Sequence, residues 1–332
     1  MDRSHRPEAF SLDDAEDRLA WIFGSSRSGS TWLLKMLSSL AGVVPIDDPH
    51  LGHHLGVWRP ISLAWSAAEH PPDLTTLDRV KHDKSSYFFS DRYRHAWAPA
   101  LRRMIVDRFD AEARDVLAQQ ALSNGRRAPA AVSPVRSTTT EPPVVVVKEP
   151  GSHVADHLMA LFPGSRLIFL LRDGRDVVDS WLSAYRAGSW ALDEGAFPAT
   201  AQGREALVRW QSAVWAFRTD VVQRAFEALP PGRRVLVRYE DLVADPVRHV
   251  ERIGDLLPVD MAPGAVQAAV AAHDYERVPA TEKGDGKFIR SAQPGGWRDN
   301  LSVAEQRAMH EIMGPKLVEL GYLATSSVGG SV

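Results

Sequence analysis

Short apolar runs alternate along the chain with segments in which apolar residues recur at helical spacing. Four short runs are mostly apolar, as expected of strands in a parallel sheet: 19–23, 144–147, 166–171 and 235–239. Residues 30–40, by contrast, place their apolar side chains on one helical stripe. Strands that alternate with helices predict an α/β fold of three layers (α/β/α), in which helices cover both faces of a central parallel sheet.

The chain shows no internal repeat and no clean linker, so we expect a single domain over residues 19–323. A polar segment, 1–18, precedes this domain, and a tail of small and polar residues, 324–332, follows it. Residues 41–72 are rich in Gly, Pro, His and Trp, which predicts loops and short helices. Because the alternation of strand and helix lapses there, we interpret residues 45–143 as a lid-like insertion.

The composition narrows the function classes. Of 332 residues, 44% are hydrophobic and 24% are charged, and the formal net charge of -3 gives the whole chain no attraction to nucleic acid or to an anionic membrane. The lack of cysteine excludes a disulfide scaffold, a zinc–thiolate site and a cysteine nucleophile, and it permits a cytoplasmic location. No stretch approaches roughly 18 consecutive apolar residues, so we expect no membrane span.

A glycine-rich loop joins the first predicted strand to the helix after it. From Gly24 to Thr31 it reads G-S-S-R-S-G-S-T, and backbone N–H groups in such a loop converge on a point that favours a phosphate. The spacing resembles the nucleotide P-loop, but Ser30 stands where that motif has lysine. Arg27 places a cation inside the loop instead. The alternative is a glycine turn that only caps the helix.

A second basic turn, R-D-G-R-D, begins at Arg172, directly after the apolar run 166–171. Ligands of open parallel sheets lie beyond the carboxyl ends of the strands, where Arg172 is expected. Ser180 follows about two helical turns later, so an arginine and a hydroxyl are placed for a second phosphate. The alternative is a surface loop in which Asp173 and Asp176 pair with the arginines.

Four segments, in the same order, resemble motifs of the sulfotransferases that use 3′-phosphoadenosine-5′-phosphosulfate (PAPS). S-R-S-G-S-T-W at 26–32 is similar to their P-K-S-G-T-T-W loop, and closer to the R-S-G-T-T form of Golgi, tyrosylprotein and many bacterial members. L-L-R-D-G-R-D-V-V-D-S at 170–180 resembles their 3′-phosphate motif. V-R-Y-E-D-L-V-A-D-P at 237–246 resembles Y-E-D-L/M-x-x-D-P, and F-I-R-S-A-Q-P-G-G-W-R-D-N-L-S at 288–302 resembles F-L-R-K-G-x-x-G-D-W-K-N-H-F-T. The resemblance implies the P-loop-like sulfotransferase fold and sulfuryl transfer from PAPS.

The resemblance also implies the cofactor contacts. It assigns the 5′-phosphosulfate to the loop residues Arg27, Ser28, Gly29, Ser30 and Thr31. It assigns the 3′-phosphate to Arg172, Ser180 and Arg290, and it places Trp32, Tyr239 and Tyr275 around the adenine, although core packing is the alternative for each aromatic ring. The family's R-K-G element reads R-S-A from Arg290, so one cation is missing here.

The catalytic base is where the chain departs from the cytosolic members. Lys148 lies 24 positions before Arg172, as does the lysine of their K-T-H element, and the resemblance gives it a catalytic role. The element here reads Lys148-Glu149-Pro150, and proline cannot carry a proton. In the tyrosylprotein and several bacterial branches the base is a glutamate downstream of the loop, and ungapped counting lands on Asp48. The alternatives are its neighbours Asp47, His50, His53 and His54.

Each candidate base has its own requirement. An aspartate needs burial to raise its pKa toward neutrality, whereas a histidine needs less tuning. The segment I-D-D-P-H is also typical of a loop with an Asx turn. The three histidines could suggest a metal, but no fourth ligand is evident and sulfuryl transfer needs no metal. We therefore predict Asp48 as the base and no metal site.

The sequence thus predicts an enzyme that moves a sulfuryl group from PAPS to a hydroxyl or amine of a small or conjugated acceptor. Arg27, the loop N–H groups and Lys148 would stabilise the charge that develops. One alternative is a P-loop kinase or NTPase, which the serine at position 30 disfavours. Another is an inactive nucleotide-binding homologue, which Pro150 favours.

The acceptor and the oligomeric state are left open. Trp58, Trp65 and Trp97 lie in the region that matches no family motif, where they could line an acceptor site or pack a core. The cytosolic family's dimer motif, K-x-x-x-T-V-x-x-x-E, is present only in weakened form at 298–307, with a reversed charge at its last position. A homodimer is therefore an open expectation.

Overall fold

The computed structural model describes residues 12, 16–54, 85–86, 88–125, 142–193, 201–259, 261–284 and 286–324. Its strands are β1 (Leu19–Phe23), β2 (Val43–Asp47), β3 (Val144–Lys148), β4 (Arg166–Leu171) and β5 (Arg234–Arg238). All of them pair in parallel, in the order β2-β3-β1-β4-β5. The predicted central parallel sheet is confirmed.

Helices follow the strands along the chain. They are α1 (Ser30–Ser38), α2 (Leu51–His54), α3 (Arg94–Gly125), α4 (Ala155–Leu161), α5 (Gly174–Ala184), α6 (Trp190–Asp193), α7 (Ala201–Ala228), α8 (Tyr239–Ala244), α9 (Pro246–Gly254), α10 (Ala265–Ala272), α11 (Trp297–Asn300) and α12 (Val303–Glu319). Single 3-10 turns lie at Glu16–Arg18, Asp91–Tyr93, Ser152–Val154, Pro231–Arg233 and Tyr275–Arg277.

The two faces of the sheet carry separate apolar cores. Trp21 and Phe169 belong to the core that the sheet forms with α3, α5 and α7. Ile22 and Ile168, their neighbours along the same strands, belong to the core with α1, α9 and α10. Successive side chains of a strand point to opposite faces, so a strand covered on both sides is apolar throughout. This arrangement confirms the predicted three layers.

Strand β2 corrects the expectation of loops and short helices for residues 41–72. Pro45 interrupts its short apolar run, which hid the strand from a search for continuous apolar residues. Proline lacks a backbone N–H and is tolerated at a sheet edge, and among the described strands β2 lies at the edge and pairs with β3. At the other edge, Tyr239 was expected to end β5 but begins α8.

Several sequence expectations fall outside the described residues. The segment 1–11, the tail 325–332 and much of the lid-like insertion belong to this group, as do Trp58 and Trp65. Within the part of the chain that the structure describes, no helix is both long enough and apolar enough to cross a membrane.

The topology collects the candidate residues at one edge. Because all strands are parallel, β1, β2, β3 and β4 end on the same side of the sheet. The segments that follow them, 24–29, 48–50, 149–151 and 172–173, therefore meet at the carboxyl edge, where open α/β sheets bind ligands.

Candidate active site

The glycine loop between β1 and α1 is tightly packed at both of its glycines. A Cβ added at Gly24 would lie 2.2 Å from the carbonyl oxygen of Leu170, and one added at Gly29 would lie 2.6 Å from a ring carbon of Tyr239. Gly29 also has a φ of 87°, in the left-handed region that favours glycine. The loop thus delivers its N–H groups to the start of α1, where an anion is favoured.

Lys148 is the centre of the first polar cluster. Its Nζ donates to Thr31 Oγ1 over 2.7 Å and lies 2.6 Å from Asp47 Oδ1 and 2.8 Å from Asp48 Oδ2. The lysine side chain is 5% exposed, whereas the Asp47 and Asp48 side chains are 54% and 41% exposed. The structure therefore brings the predicted base and the predicted lysine together with the end of the glycine loop.

The pairing of β2 with β3 explains this cluster. Asp47 is the register partner of Lys148, and the N–H of Asp48 donates to the carbonyl oxygen of Lys148 over 3.1 Å. Asp48 then turns with a φ of 51° and His50 with a φ of 53°, a conformation that non-glycine residues rarely adopt. Such strained positions cluster at functional sites.

Of the histidine alternatives, the structure describes His50, which is exposed and lies two positions after Asp48. The side chains of His53 and His54 lie outside the described residues, although their backbone belongs to α2. Among the described side chains, no group of three or more histidines and acids could hold a metal ion.

Arg27 points away from Lys148. Its Nε donates to Ser180 Oγ over 3.0 Å, and its Nη2 donates to the carbonyl oxygen of Phe288 over 2.8 Å. The guanidinium also lies 4.6 Å from the centre of the Phe288 ring and 5.1 Å from that of Trp190. The side chain of Arg27 thus lies with the residues predicted for the 3′-phosphate, while its backbone stays in the 5′-phosphosulfate loop.

Arg172 locks the glycine loop to the second basic turn. Its Nη1 donates to the carbonyl oxygen of Arg27 over 2.7 Å, and its guanidinium lies 4.3 Å above the ring of Tyr239. The same ring blocks any side chain at Gly29. Arg172 Nε and Ser28 Oγ are buried polar atoms without a hydrogen-bond partner in the described structure. Buried polar groups normally have partners, so both atoms fit the neighbourhood of a polar ligand.

Arg290 is held beside Ser180 by an acid that the sequence analysis did not single out. Arg290 Nη2 lies 2.5 Å from Asp179 Oδ2, which also accepts from Asn300 Nδ2 over 3.0 Å. One turn earlier on α5, Asp176 accepts from the N–H groups of residues 295 and 297 over 2.7 and 3.3 Å. These acids share one face of α5 with Ser180 and fix the segment that carries Arg290.

The predicted alternative for this turn, arginine–aspartate pairing, is also present. Asp173 pairs with Arg175 over 2.7 Å and caps the start of α5. Arg175 in turn donates to the carbonyl oxygen of Tyr322 over 2.9 Å. Arg172 takes no part in this pairing. Arg175 therefore connects Asp173 to the carbonyl oxygen of Tyr322, whereas Arg172 contacts the glycine loop.

The predicted adenine residues are linked by backbone contacts. Trp32 Nε1 donates to the carbonyl oxygen of His273 over 2.9 Å, and Tyr275 Oη donates to that of Arg290 over 2.9 Å. The ammonium of Lys283 lies 4.4 Å above the Tyr275 ring. Trp32 thus connects α1 to His273, and Tyr275 connects the segment after His273 to Arg290, one of the predicted 3′-phosphate residues.

Trp97, a candidate for the acceptor region, has different surroundings. Its ring packs edge-on against Phe89 at 5.3 Å, its Nε1 donates to the carbonyl oxygen of Ser90 over 2.9 Å, and Arg94 lies 5.3 Å above it. These contacts are those of a packing residue and involve none of the predicted site residues.

Glu149 is a buried acid whose role the sequence analysis missed. Its Oε2 accepts from the N–H of Leu51 over 2.9 Å, and its Oε1 accepts from that of Gly151 over 2.7 Å. Burial raises the pKa of Glu149 to about 7, an effect that the backbone hydrogen bonds oppose and the negative charge of Asp48 reinforces. The acid thereby ties the segment after Asp48 to the end of β3. Its position next to Lys148, directly after a buried strand, was the available signal.

Arg218 is the second residue that was missed. It lies on α7, is 5% exposed, and donates from Nη1 to Ser26 Oγ of the glycine loop over 2.9 Å. Burial lowers the pKa of Arg218 to about 10, so it stays cationic at neutral pH. It follows the buried residue Val214 by four positions, so both lie on the same face of α7, and an arginine on an apolar helix face was the signal.

Taken by its chemistry, this edge of the sheet suits a ligand with two separated anionic groups. One anion fits the glycine loop between Thr31 and Ser26, and another fits the arginines around Ser180. Open α/β sheets bind nucleotides at this edge, so the fold and the site together define a nucleotide-binding class of protein.

Comparison with known families makes the class specific. The family model described as "Sulfotransferase family" matches residues 20–263. The chain belongs to the sulfotransferase family, and the predicted class of PAPS-dependent sulfotransferase is confirmed at this level, whereas the branch within the family stays a prediction. Among curated proteins, no sequence matches the chain.

Solved structures support the fold. The chain is similar to mouse sulfotransferase SULT7A1 complexed with PAP, with 12% identity, a TM-score of 0.51 and coverage of 92% of this chain and 87% of that chain. It is also similar to sulfotransferase STF9 from Mycobacterium avium, with 18% identity, a TM-score of 0.48 and coverage of 95% and 79%. The first likeness confirms the sulfotransferase fold.

Proposed function

We propose that this enzyme transfers the sulfuryl group of PAPS to an acceptor hydroxyl and releases adenosine 3′,5′-bisphosphate (PAP), and that the residues of the carboxyl edge carry out this transfer. The hydrogen bond from Arg27 to Ser180 is the observation that carries the assignment of residues. It joins the loop predicted for the 5′-phosphosulfate to the residues predicted for the 3′-phosphate, as one adenosine with a phosphate at each end requires. The PAP complex of the mouse enzyme supports this ligand.

The residues divide into binding and chemical roles. Arg172, Ser180, Arg290 and the guanidinium of Arg27 bind the 3′-phosphate. The N–H groups of Gly29, Ser30 and Thr31, together with Ser28 Oγ, bind the 5′-phosphate, and Trp32, Tyr239 and Tyr275 hold the adenine. PAPS supplies the sulfuryl group. Preorganised donors of this kind stabilise developing charge without reorganisation.

Lys148 and Asp48 are the proposed chemical pair. Asp48 is partly exposed and takes the proton of the acceptor hydroxyl as that oxygen attacks sulfur. Lys148, which donates to Thr31 at the end of the glycine loop, stabilises the negative charge on the leaving phosphate. Asp47 contacts the same ammonium and is the matched alternative. No covalent intermediate with the enzyme is needed.

Three finer features stay predictions. The acceptor is a small molecule or a conjugated hydroxyl, the enzyme is cytoplasmic, and the reaction requires no metal. A homodimer is the fourth expectation that the structure leaves open.

Incubation of the enzyme with PAPS carrying radiolabelled sulfur and a cell extract, followed by identification of the labelled product, would name the acceptor class. A complete lack of labelled product would favour the inactive homologue.

Calorimetry tests the ligand. We expect PAP to bind at least about 10-fold more tightly than adenosine 5′-monophosphate, because charge-assisted contacts to the 3′-phosphate are lost in the latter. Arg290→Ala should reduce this ratio about 10-fold, while Arg298→Ala, an exposed arginine on α11, should leave it unchanged. Equal affinity for the two nucleotides, or tighter binding of ATP with magnesium, would contradict the proposal and favour the kinase alternative.

A further inference from the structure

Arg218 contacts the glycine loop at the opposite end from Lys148. Its Nη1 donates to Ser26 Oγ over 2.9 Å, and Ser26 Oγ donates to the carbonyl oxygen of Pro150 over 3.4 Å. Lys148 contacts Thr31 at the other end of the same loop. Two buried cations therefore flank the loop, one at Ser26 and one at Thr31.

Among the described residues, the charge of Arg218 has no ion-pair partner. In the described part of the chain, no carboxylate lies within ion-pairing distance of its guanidinium, and Ser26 is its hydrogen-bond partner. The charges that act on it belong to Tyr185 and Glu149. Burial raises the pKa of Tyr185, so this phenol is neutral at neutral pH, and both carboxylate oxygens of Glu149 accept from backbone N–H groups.

A buried cation without an ion-pair partner is costly for a fold. At a substrate site the cost is offset when the ligand brings the negative charge. The guanidinium is planar, keeps its charge and presents several N–H donors, which matches the oxygens of a sulfonate better than an ammonium does. Only one of its donors is used by Ser26.

The orientation of Arg27 leaves this position open to another residue. The loop arginine was expected at the phosphosulfate, yet its guanidinium is engaged by Ser180 and by the carbonyl oxygen of Phe288. We infer that Arg218 is a further catalytic residue, which binds the oxygens of the transferred sulfuryl group on the Ser26 side of the loop. This inference rests on the proposed function, because the sulfuryl group comes from PAPS.

The test compares two ligands that differ only in the sulfuryl group. Calorimetric titration without acceptor gives the dissociation constants of PAPS and PAP for wild type, Arg218→Gln and Arg218→Lys. We expect Arg218→Gln to weaken PAPS binding by about 10- to 100-fold and PAP binding by less than about 2-fold. Arg218→Lys keeps the charge and should lose less PAPS affinity than Arg218→Gln.

A purely structural role gives a different pattern. If Arg218 only braces Ser26 and Pro150, both ligands weaken together and the PAPS-to-PAP ratio stays that of wild type, which overturns the inference. Ser26→Ala removes the brace and keeps the cation, so we expect its ratio to stay within about 3-fold of wild type. If Arg218→Gln fails to fold, Arg218→Lys takes its place: a change in the PAPS-to-PAP affinity ratio relative to wild type supports the inference, and an unchanged ratio overturns it. Wild-type protein that binds neither ligand would instead contradict the proposed function.

Discussion

The Nε atom of Arg27 donates a hydrogen bond to Ser180 Oγ over 3.0 Å, across 153 positions of sequence. Arg27 belongs to the loop after β1, whereas Ser180 lies on the helix after β4, and β1 and β4 are neighbours in the sheet. Arg172 adds a second link, because it donates to the carbonyl oxygen of Arg27. Two hydrogen bonds therefore connect the two segments that separate motifs predict as phosphate sites.

Replacement of Arg27 tests this connection between the two predicted phosphate sites. Arg27→Ala should weaken PAP binding at least about 10-fold and lower turnover at sub-saturating PAPS by a similar factor, because a charge-assisted donor to the 3′-phosphate is lost. Calorimetry and a PAPS turnover assay measure the two effects. Arg103→Ala is the control, because Arg103 is exposed and pairs with Asp107 on α3, away from the candidate site residues. Wild-type turnover in Arg27→Ala would remove Arg27 from the site.

The two aspartates on Lys148 allow a matched test of the base. Asp48→Asn should abolish turnover and keep PAP affinity within about 3-fold, since the amide cannot take a proton but retains its shape. Asp47→Asn removes the other carboxylate from the same ammonium and should retain most of the turnover. Loss of turnover in Asp47→Asn alone would move the role to Asp47. Activity in both variants would return it to a histidine.

Most of the sheet could be predicted from the sequence, because strands covered on both faces must be apolar throughout. Val144 to Val147 is such a run, and all of its residues are buried. Strand β2 could not be found in this way. Its Pro45 breaks the pattern and is tolerated only because the strand lies at the sheet edge, which is a property of the whole topology.

The residues of the candidate site also fall into those that could be predicted from the sequence and those that could not. Residues in contiguous motifs, such as Arg172 and Ser180, could be located because local sequence places Arg172 at the end of β4 and Ser180 on the helix that follows. Glu149, Asp179 and Arg218 could not be assigned roles, because their partners are distant in sequence: Arg290 lies 111 positions from Asp179, and Ser26 lies 192 positions from Arg218. Which loop a buried charge faces is decided by packing.

Gly29 tests the packing of the loop against Tyr239. Gly29→Ala combines a left-handed φ with a contact of 2.6 Å to the ring, so it should destabilise the protein by about 2–4 kcal/mol. Gly42→Ala is the matched control: Gly42 has a φ of 79°, but open space surrounds an added Cβ, so its loss should be about 1 kcal/mol. Urea unfolding measures both.

Ligand binding separates the two glycine variants further. Because the displaced Tyr239 ring lies under Arg172, Gly29→Ala should weaken PAP binding at least about 10-fold, whereas Gly42→Ala should leave it unchanged. Equal stability losses and equal PAP affinities in the two variants would show that the Tyr239 ring can move away from the added Cβ without affecting stability or PAP binding.

Glu149 links the stability of the site to pH. Its pKa in the folded protein is raised from the ordinary 4.5 to about 7, chiefly by burial. Between these values the folded protein therefore binds more protons than the unfolded chain. The stability that this group contributes is fully present below the unfolded pKa, and it is lost as the pH rises through about 7.

Glu149→Gln removes this titration while keeping the shape of the side chain. The difference in unfolding free energy, wild type minus variant, should fall by about 2 kcal/mol between about pH 5 and about pH 8, because each unit of pKa shift corresponds to about 1.4 kcal/mol. Urea unfolding at both pH values measures it. Glu205→Gln, an exposed acid on α7, should show no such change. A difference that stays constant between these pH values would mean that Glu149 is ionised throughout this range, held charged by the N–H groups of Leu51 and Gly151.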